Sequence, residues 1–258
     1  MSKEREINAV DTIVDCAEIE RFATHAAAWW APDGSFEALH RFNPTRLGFI
    51  RSRLLRHFRR DPDMLRPFIG LRLLDIGCGG GLAAEPMARL GFAVVGVDAG
   101  TETIATAREH SRAGGLDIDY RVAAAESIAN TGQCFDVVLA LELVEHVADK
   151  GAFLRSLGTL VAPGGAAIVA TIGRTPRSFA LAIVGAEYIL RWIPRGTHAW
   201  RNFVSPSELI LGLRRNGLRP IEISGFSYDP ANREWVLTQN VEVNYLVMAT
   251  RPPYTASR

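Results

Sequence analysis

Cysteine is scarce and scattered in this 258-residue chain. Cys16, Cys78 and Cys134 are an odd set with no metal-ligand spacing and no disulfide framework. A reducing cytoplasm is the natural compartment for such a set. Excess charge is missing too: 29 Lys and Arg against 28 Asp and Glu leave +1, so no global field favours nucleic acid. No run of about 18 uncharged apolar residues occurs, so no helix is expected to span a bilayer. Met1–Asp11 is polar and charged, unlike a signal peptide. Internal repeats and low-complexity segments are absent. What is present is 48% hydrophobic residues, enough for a full core. The length exceeds the ~100–200 residues of a typical domain, yet suits one α/β domain with an extension.

The most informative stretch is Leu73-Leu74-Asp75-Ile76-Gly77-Cys78-Gly79-Gly80-Gly81. An apolar run suited to the middle of a parallel sheet breaks into glycines and then into a helix. Glycines let the chain turn tightly and let a ligand approach bare amides, and the following helix points its positive end there. A second strand, Ala93–Val97, ends at Asp98, where an acid is placed to take both ribose hydroxyls of a nucleoside. A purely structural turn would need none of this register. The dinucleotide fingerprint G-x-G-x-x-G would put a third glycine at position 82, which is Leu82. The glycines run G-x-G-x-G instead, with Asp75 two residues ahead. This pattern resembles class I S-adenosylmethionine (SAM) methyltransferases.

Strands are expected at 71–76, 93–97, 118–123, 135–139 and 166–171, with helices at 82–90, 101–113 and 149–161 between them. Alternation of this kind implies a Rossmann-like, doubly wound, mostly parallel sheet. Pro163-Gly164-Gly165 is expected to stop the third helix. A break follows at 173–204, then a helix from Ser205-Pro206, strand six near 218–224, and Val243–Ala249. The superfamily resemblance implies an antiparallel last strand, and Asn240–Ala249 suits it as a hairpin partner of strand six. Residues 17–60 read as helical with a break at Pro32-Asp33-Gly34. The division is therefore an N-terminal helical extension, 1–68, and a methyltransferase domain, 69–258, with an insert at 173–204.

Glu142, Glu145 and His146 follow strand four at the carboxyl edge, where α/β folds bind ligands. The i, i+3, i+4 spacing would put them on one face of a helical turn. Such a face can hold a divalent ion, or one member can act as general base, with His146 and Glu142 the candidates. Acids near a helix start also simply complement its dipole. Glu126 lies in the loop after strand three, which in the superfamily brackets the adenine. Leu141 is placed to pack on the adenine face or in plain core. Arg46–Arg60 carries six arginines and His57 before any acid, a face that is usually just solvated. Arg46, expected ahead of that helix, is placed to pair bidentately with a carboxylate such as that of SAM.

The insert contains Phe179–Ile193. At about 100° per residue, Arg177, Glu187, Arg191 and Arg195 share a stripe roughly 80° wide, and the rest is apolar. A helix with so narrow a polar stripe is buried nearly all round or lies in a lipid interface. The reading is a substrate lid or membrane-facing element at 174–200, with cover by the N-terminal helices as the alternative.

Three further segments narrow the resemblance: Trp29-Trp30 with Phe42–Leu47, Glu142–Val147, and Val184–Leu190. From about Asp15 to Met248 the chain resembles the ubiquinone-biosynthesis O-methyltransferases. The resemblance implies methylation of two hydroxyls, on a polyprenylated catechol and on demethylubiquinol. It maps SAM contacts onto Arg46, Gly77, Asp98 and Leu141, beside Asp75, Gly79 and Glu126, and a Mg²⁺ requirement onto Glu142, Glu145 and His146. It implies a cytoplasmic enzyme held peripherally on the inner membrane, with membrane lipids and other ubiquinone-biosynthesis enzymes as partners. Three rivals are weaker. Leu82 opposes an NAD(P)-dependent oxidoreductase, Glu142, Glu145 and His146 oppose a non-catalytic scaffold, and for a methyltransferase of small soluble phenols or of a carbon atom the apolar insert opposes a soluble substrate.

Overall fold

The computed structural model describes residues 29–31, 34, 36–181, 183, 199–232 and 234–253. Its centre is built from β1 (Arg72–Ile76), β2 (Ala93–Asp98) and β4 (Phe135–Leu141), which are buried along nearly their whole length. Burial on both faces explains why these strands are continuous apolar runs rather than alternating ones. With β3 (Asp119–Val122), β5 (Val161–Ile172), β6 (Arg219–Asp229), β7 (Glu234–Thr238) and β8 (Asn244–Thr250) they form one sheet in the order β3-β2-β1-β4-β5-β8-β6-β7. The first five are parallel, and β8 is antiparallel to both β5 and β6. This is the class I methyltransferase arrangement expected from the motifs.

Side chains alternate between two cores. Leu73, Val94, Leu139 and Met248 face one side with α1 (Glu37–His57), α2 (Ala84–Arg89) and α3 (Thr101–Ala113). Leu74, Val95, Val138 and Val247 face the other, with α5 (Lys150–Leu160) and α6 (Pro206–Arg215). The short α4 (Ala125–Ala129) also packs on that second side. Phe42, Phe49, Ile50 and Leu54 of α1 share the first core with the strands, so this N-terminal helix is packed on the sheet itself. Ser205 caps α6 through a reciprocal bond with Glu208, with Pro206 next, as its sequence indicates.

Four elements differ from the sequence expectation. β5 starts at Val161 directly after α5. Pro163-Gly164-Gly165 sits inside it as an irregularity, where the register with β4 jumps from Phe135↔Val161 to Val137↔Ala166. The breaker residues thus make a bulge, not a gap. β7 was unforeseen: Trp235–Thr238 is too short to show a period, and it becomes a strand only by pairing with β6. The hairpin partner of β6 is therefore β7, while β8 inserts on its other side. Glu126 lies on a helix, α4, rather than in a loop.

Within the insert, a capped turn at Pro176–Ser178 and a 3₁₀ turn at Trp200–Asn202 are described. Glu187, Arg191 and Arg195 of the polar stripe lie outside the described residues. Arg177 bonds to Glu242 at 3.0 Å and Arg174 pairs with Glu208, which ties this end of the insert to the body. Among the described residues no helix is long and apolar enough to cross a membrane.

Candidate cofactor and active site

The glycine turn begins where β1 ends. Gly77, Gly79 and Gly81 have φ of +69°, +53° and +94°, a region that strongly favours glycine. Space is short as well: a Cβ on Gly77 would stand 2.9 Å from Leu143 Cδ1, and one on Gly79 2.5 Å from Trp29 Cη2. Gly77 and Cys78 donate their N–H groups to Val97 O of β2, at 2.8 and 3.0 Å. Asp98, at the end of β2, accepts from Gly79 N at 3.1 Å and from Gly100 N at 2.9 Å. Its carboxylate clasps the turn, with a further lone pair on each oxygen still available. Burial pushes the Asp98 carboxyl up, while the bonds from Gly100 and Gly79 restrain the shift.

Beneath the turn lies a buried charged group. Arg46 is only 2% exposed, as is Asp75. Arg46 belongs to the middle of α1, not to a segment before it, because the helix runs through Pro44. Its Nη2 donates to Asn43 Oδ1 at 2.7 Å, and Asn43 Nδ2 donates to Leu82 O at 2.7 Å. Its Nη1 is 3.7 Å from Glu142 Oε1. Burial lowers the Arg46 pKa, opposed by the charges of Glu142 and Asp75. Burial raises Asp75 to about 7, opposed by Arg46. Two atoms of this group lack a partner among the described residues, the donor Arg46 Nε and the acceptor Asp75 Oδ2. A buried polar atom is seldom left so.

Glu142 follows β4 with φ +53°, unusual for a non-glycine residue. Its N–H is held by Ala170 O at 3.0 Å. Burial and then repulsion from Glu145 raise its carboxyl to about 7, and Arg46 and His146 oppose this. The turn that follows is 3₁₀, Val144–His146. The single helical face expected for Glu142, Glu145 and His146 is therefore not formed. Glu145 is 3% exposed, and its Oε2 accepts from Thr171 Oγ1 of β5 at 2.5 Å. Its Oε1 has no partner among the described residues. His146 is half-buried. Among the described residues no group of three or more His, Cys, Asp and Glu could hold a metal ion. A three-residue protein shell for Mg²⁺ does not fit.

Leu141 is buried at the end of β4. Glu126 is half-buried with Oε1 unpartnered, and burial raises its carboxyl. Sequence reasoning missed Asn43 and Thr171. Only their polarity at otherwise apolar, buried positions could have pointed to them.

The methyltransferase domain model matches residues 39–223. A ubiquinone biosynthesis O-methyltransferase of Brucella anthropi is 52% identical over 241 residues, covering 93% of this chain and 97% of that protein. The chain belongs to the ubiquinone biosynthesis O-methyltransferase family. The relative from Parvibaculum lavamentivorans is 49% identical, covering 96% and 98% of the two chains. Two solved structures share the fold of this methyltransferase. One is a SAM-dependent methyltransferase, possible histamine N-methyltransferase, of Thermotoga maritima (TM-score 0.61, 18% identity, 91% and 98% of the chains covered). The other is magnesium protoporphyrin IX methyltransferase of Synechocystis with bound SAH (0.56, 16%, 80% and 81%).

Proposed function

We propose that this O-methyltransferase transfers the methyl group of SAM to a hydroxyl of a polyprenylated catechol, and of demethylubiquinol, in ubiquinone biosynthesis. The observation that carries the reading is the unpaired set around the glycine turn. Arg46 Nε offers a buried donor and Asp75 Oδ2 a buried acceptor, complementary to an amino acid with its carboxylate and ammonium. A dinucleotide pyrophosphate would instead meet two acids, the buried Asp75 and the half-buried Asp98, that already repel each other. That opposes the oxidoreductase alternative. Asp98 would take the ribose hydroxyls, and Glu126 and Leu141 would flank the adenine. Gly77 and Gly79 would shape the turn beside the ligand, with Leu143 and Trp29 packed where their side chains would stand.

SAM, when bound, supplies an electrophilic methyl whose transfer to oxygen leaves neutral SAH. The protein's task is the acceptor. A phenol of pKa ~10 is only ~10⁻³ ionised at pH 7, a deficit of roughly 4 kcal/mol. Glu142, with its carboxyl near 7, is poised to take the hydroxyl proton, since a base works best near the operating pH. His146, beside it, is the second candidate. Arg46 would hold the methionine carboxylate, and alignment of oxygen and methyl supplies much of the acceleration. A Mg²⁺ shared with the substrate is a second reading. It is favoured by the mutual repulsion of Glu142 and Glu145 and by the unpartnered Glu145 Oε1, because Mg²⁺ commonly takes one or two carboxylates with substrate oxygens and waters.

The decisive assay is radiolabelled methyl transfer from SAM to a short-tailed demethylubiquinol, with and without EDTA. Transfer that survives EDTA removes the metal and leaves the base, while no transfer in Mg²⁺ buffer sinks the reading. The insert at 174–200 would hold the tailed substrate at an anionic membrane surface, with Phe179, Leu181 and Trp200 exposed at its described ends. Replacing Ile183, Ile189 and Trp192 with Ser is expected to abolish liposome binding and turnover of a long-tailed substrate while sparing a tail-free catechol. Equal losses on both substrates would make the insert a core or lid element instead.

A further inference from the structure

The segment at Trp29–Trp30 is fastened across the glycine turn. Trp30 Nε1 donates to Gly80 O at 2.9 Å. The Trp30 ring stacks on His110 with centroids 3.5 Å apart and planes 4° apart. His110 Nδ1 lies 2.6 Å from Oε1 of buried Glu85. His40 Nε2 donates to Trp29 O at 2.8 Å. Every polar group in these contacts is matched within the protein.

Trp29 is different. The residue is 8% exposed, and its ring stacks on Phe36 at 3.8 Å. It lies along the bare backbone of the turn: a Cβ on Gly79 would come within 2.5 Å of its Cη2, and one on Gly80 within 2.6 Å of its Cγ. Its indole N–H is buried and has no partner among the described residues. A buried indole N–H ordinarily finds an acceptor, and a Phe here would bring the same stacking without that loss. The N–H at this spot therefore calls for an acceptor that the described residues do not provide.

We infer that Trp29 is a cofactor-binding residue whose indole N–H donates to the carboxylate of the methionine part of SAM, while its ring walls the site along the glycine turn. The inference rests on the SAM reading of the site. The carboxylate is the group of SAM that carries acceptors only, and its two oxygens have about four lone-pair sites. Arg46 uses only part of that capacity. The ribose hydroxyls meet the acceptor Asp98, so they donate there. The adenine belongs at Glu126, after a different strand. Trp29 and Arg46 would then be two donors sent by the N-terminal segment to one side of the turn, joined to it through Gly80 O and Leu82 O.

The test uses the full chain and two ligands, SAH and methylthioadenosine, which lacks the amino-acid part. Trp29→Phe keeps the ring and removes the N–H. Calorimetry is expected to show SAH bound about 10- to 150-fold more weakly, the range for one hydrogen bond to a charged group. Methylthioadenosine should bind as to wild type. In ¹⁵N-labelled protein, the indole N–H signal that Trp29→Phe deletes should shift on SAH addition and stay still on methylthioadenosine addition. Unchanged SAH affinity in Trp29→Phe would overturn the inference. So would equal losses for both ligands, which would make the ring merely structural. If wild type binds neither ligand, the SAM reading falls, whereas wild-type binding with an indifferent Trp29→Phe removes this inference alone.

Discussion

Asp98 shows how much one side chain does in this site. Its two carboxylate oxygens already accept from Gly79 and Gly100, so it shapes the turn besides the role toward a ribose proposed for it. Asp98→Ala is expected to weaken SAH binding about 10- to 150-fold, for charged hydrogen bonds of ~1.5–3 kcal/mol. It should lower the melting temperature as well, because two backbone donors lose their partner. Unchanged affinity in the folded variant would refute the ribose assignment. Glu142 carries a separate expectation. With its carboxyl near 7, a base at this position is charged above that pH, so kcat should fall as pH drops through about 7. Glu142→Gln should lose turnover by about 10²–10⁴-fold and flatten that acid limb, with SAH affinity moved far less. If the limb persists in the variant, the titrating base is another group, and His146→Ala is the next profile to measure.

At the scale of elements, α1 is the part that carries Arg46 to the turn, and its position depends on the far edge of the sheet. Thr45 Oγ1 donates to Trp235 O of β7 at 2.9 Å. The Phe42 ring packs on Phe226 and Trp235 with centroids 5.0 and 4.9 Å away. Arg53 reaches Glu222 of β6 at 2.6 Å. The β6–β7 hairpin thus braces the same face of the helix that carries Arg46 to the candidate cofactor site. Phe42→Ala should cost about 3–5 kcal/mol of stability and weaken SAH binding, since Arg46 sits one helical turn further on. Urea denaturation and calorimetry on the same sample check both effects. A destabilised variant with intact SAH affinity would show that the hairpin does not position Arg46.

Over the whole molecule, the site concentrates buried acids at the carboxyl edge between β1 and β4, where the connections of an α/β sheet diverge. This has a sign that can be measured. Asp75 sits near 7 in the folded protein against a usual 3.8. Between about pH 4 and 7 the folded state therefore holds a proton that the unfolded state has lost, and stability falls as pH rises. Asp75→Asn cannot lose that proton. In ligand-free protein its stability relative to wild type should grow from pH 5 to pH 8, and a gap that stays constant would show that Asp75 is not held near 7. SAH at about 100 times its Kd should return ~2.7 kcal/mol to wild type and less to the variant, where binding is weaker.

The glycine turn, the acid after β2 and the alternating strands were legible in the sequence because each rests on local physics: a run of positive φ that favours glycine, a chain that must end a strand, and apolar runs too long to be half-exposed. The family followed from segments spread along nearly the whole chain. Other features belong to the tertiary structure. Glu142, Glu145 and His146 share a spacing that suits a helix, but the backbone turns through a left-handed Glu142 into a 3₁₀ turn, and Thr171 from β5 claims Glu145. Trp235–Thr238 becomes a strand only because β6 offers it an edge. Arg46 lies inside a helix that 3.6-residue periodicity could not delimit around Pro44. Its place beneath Asp75, and that of Trp29 on bare glycine backbone, come from contacts across 29 and 50 positions of chain. Local conformation can be read from neighbours in sequence, whereas the pairing of buried charges depends on which distant segments the sheet brings together.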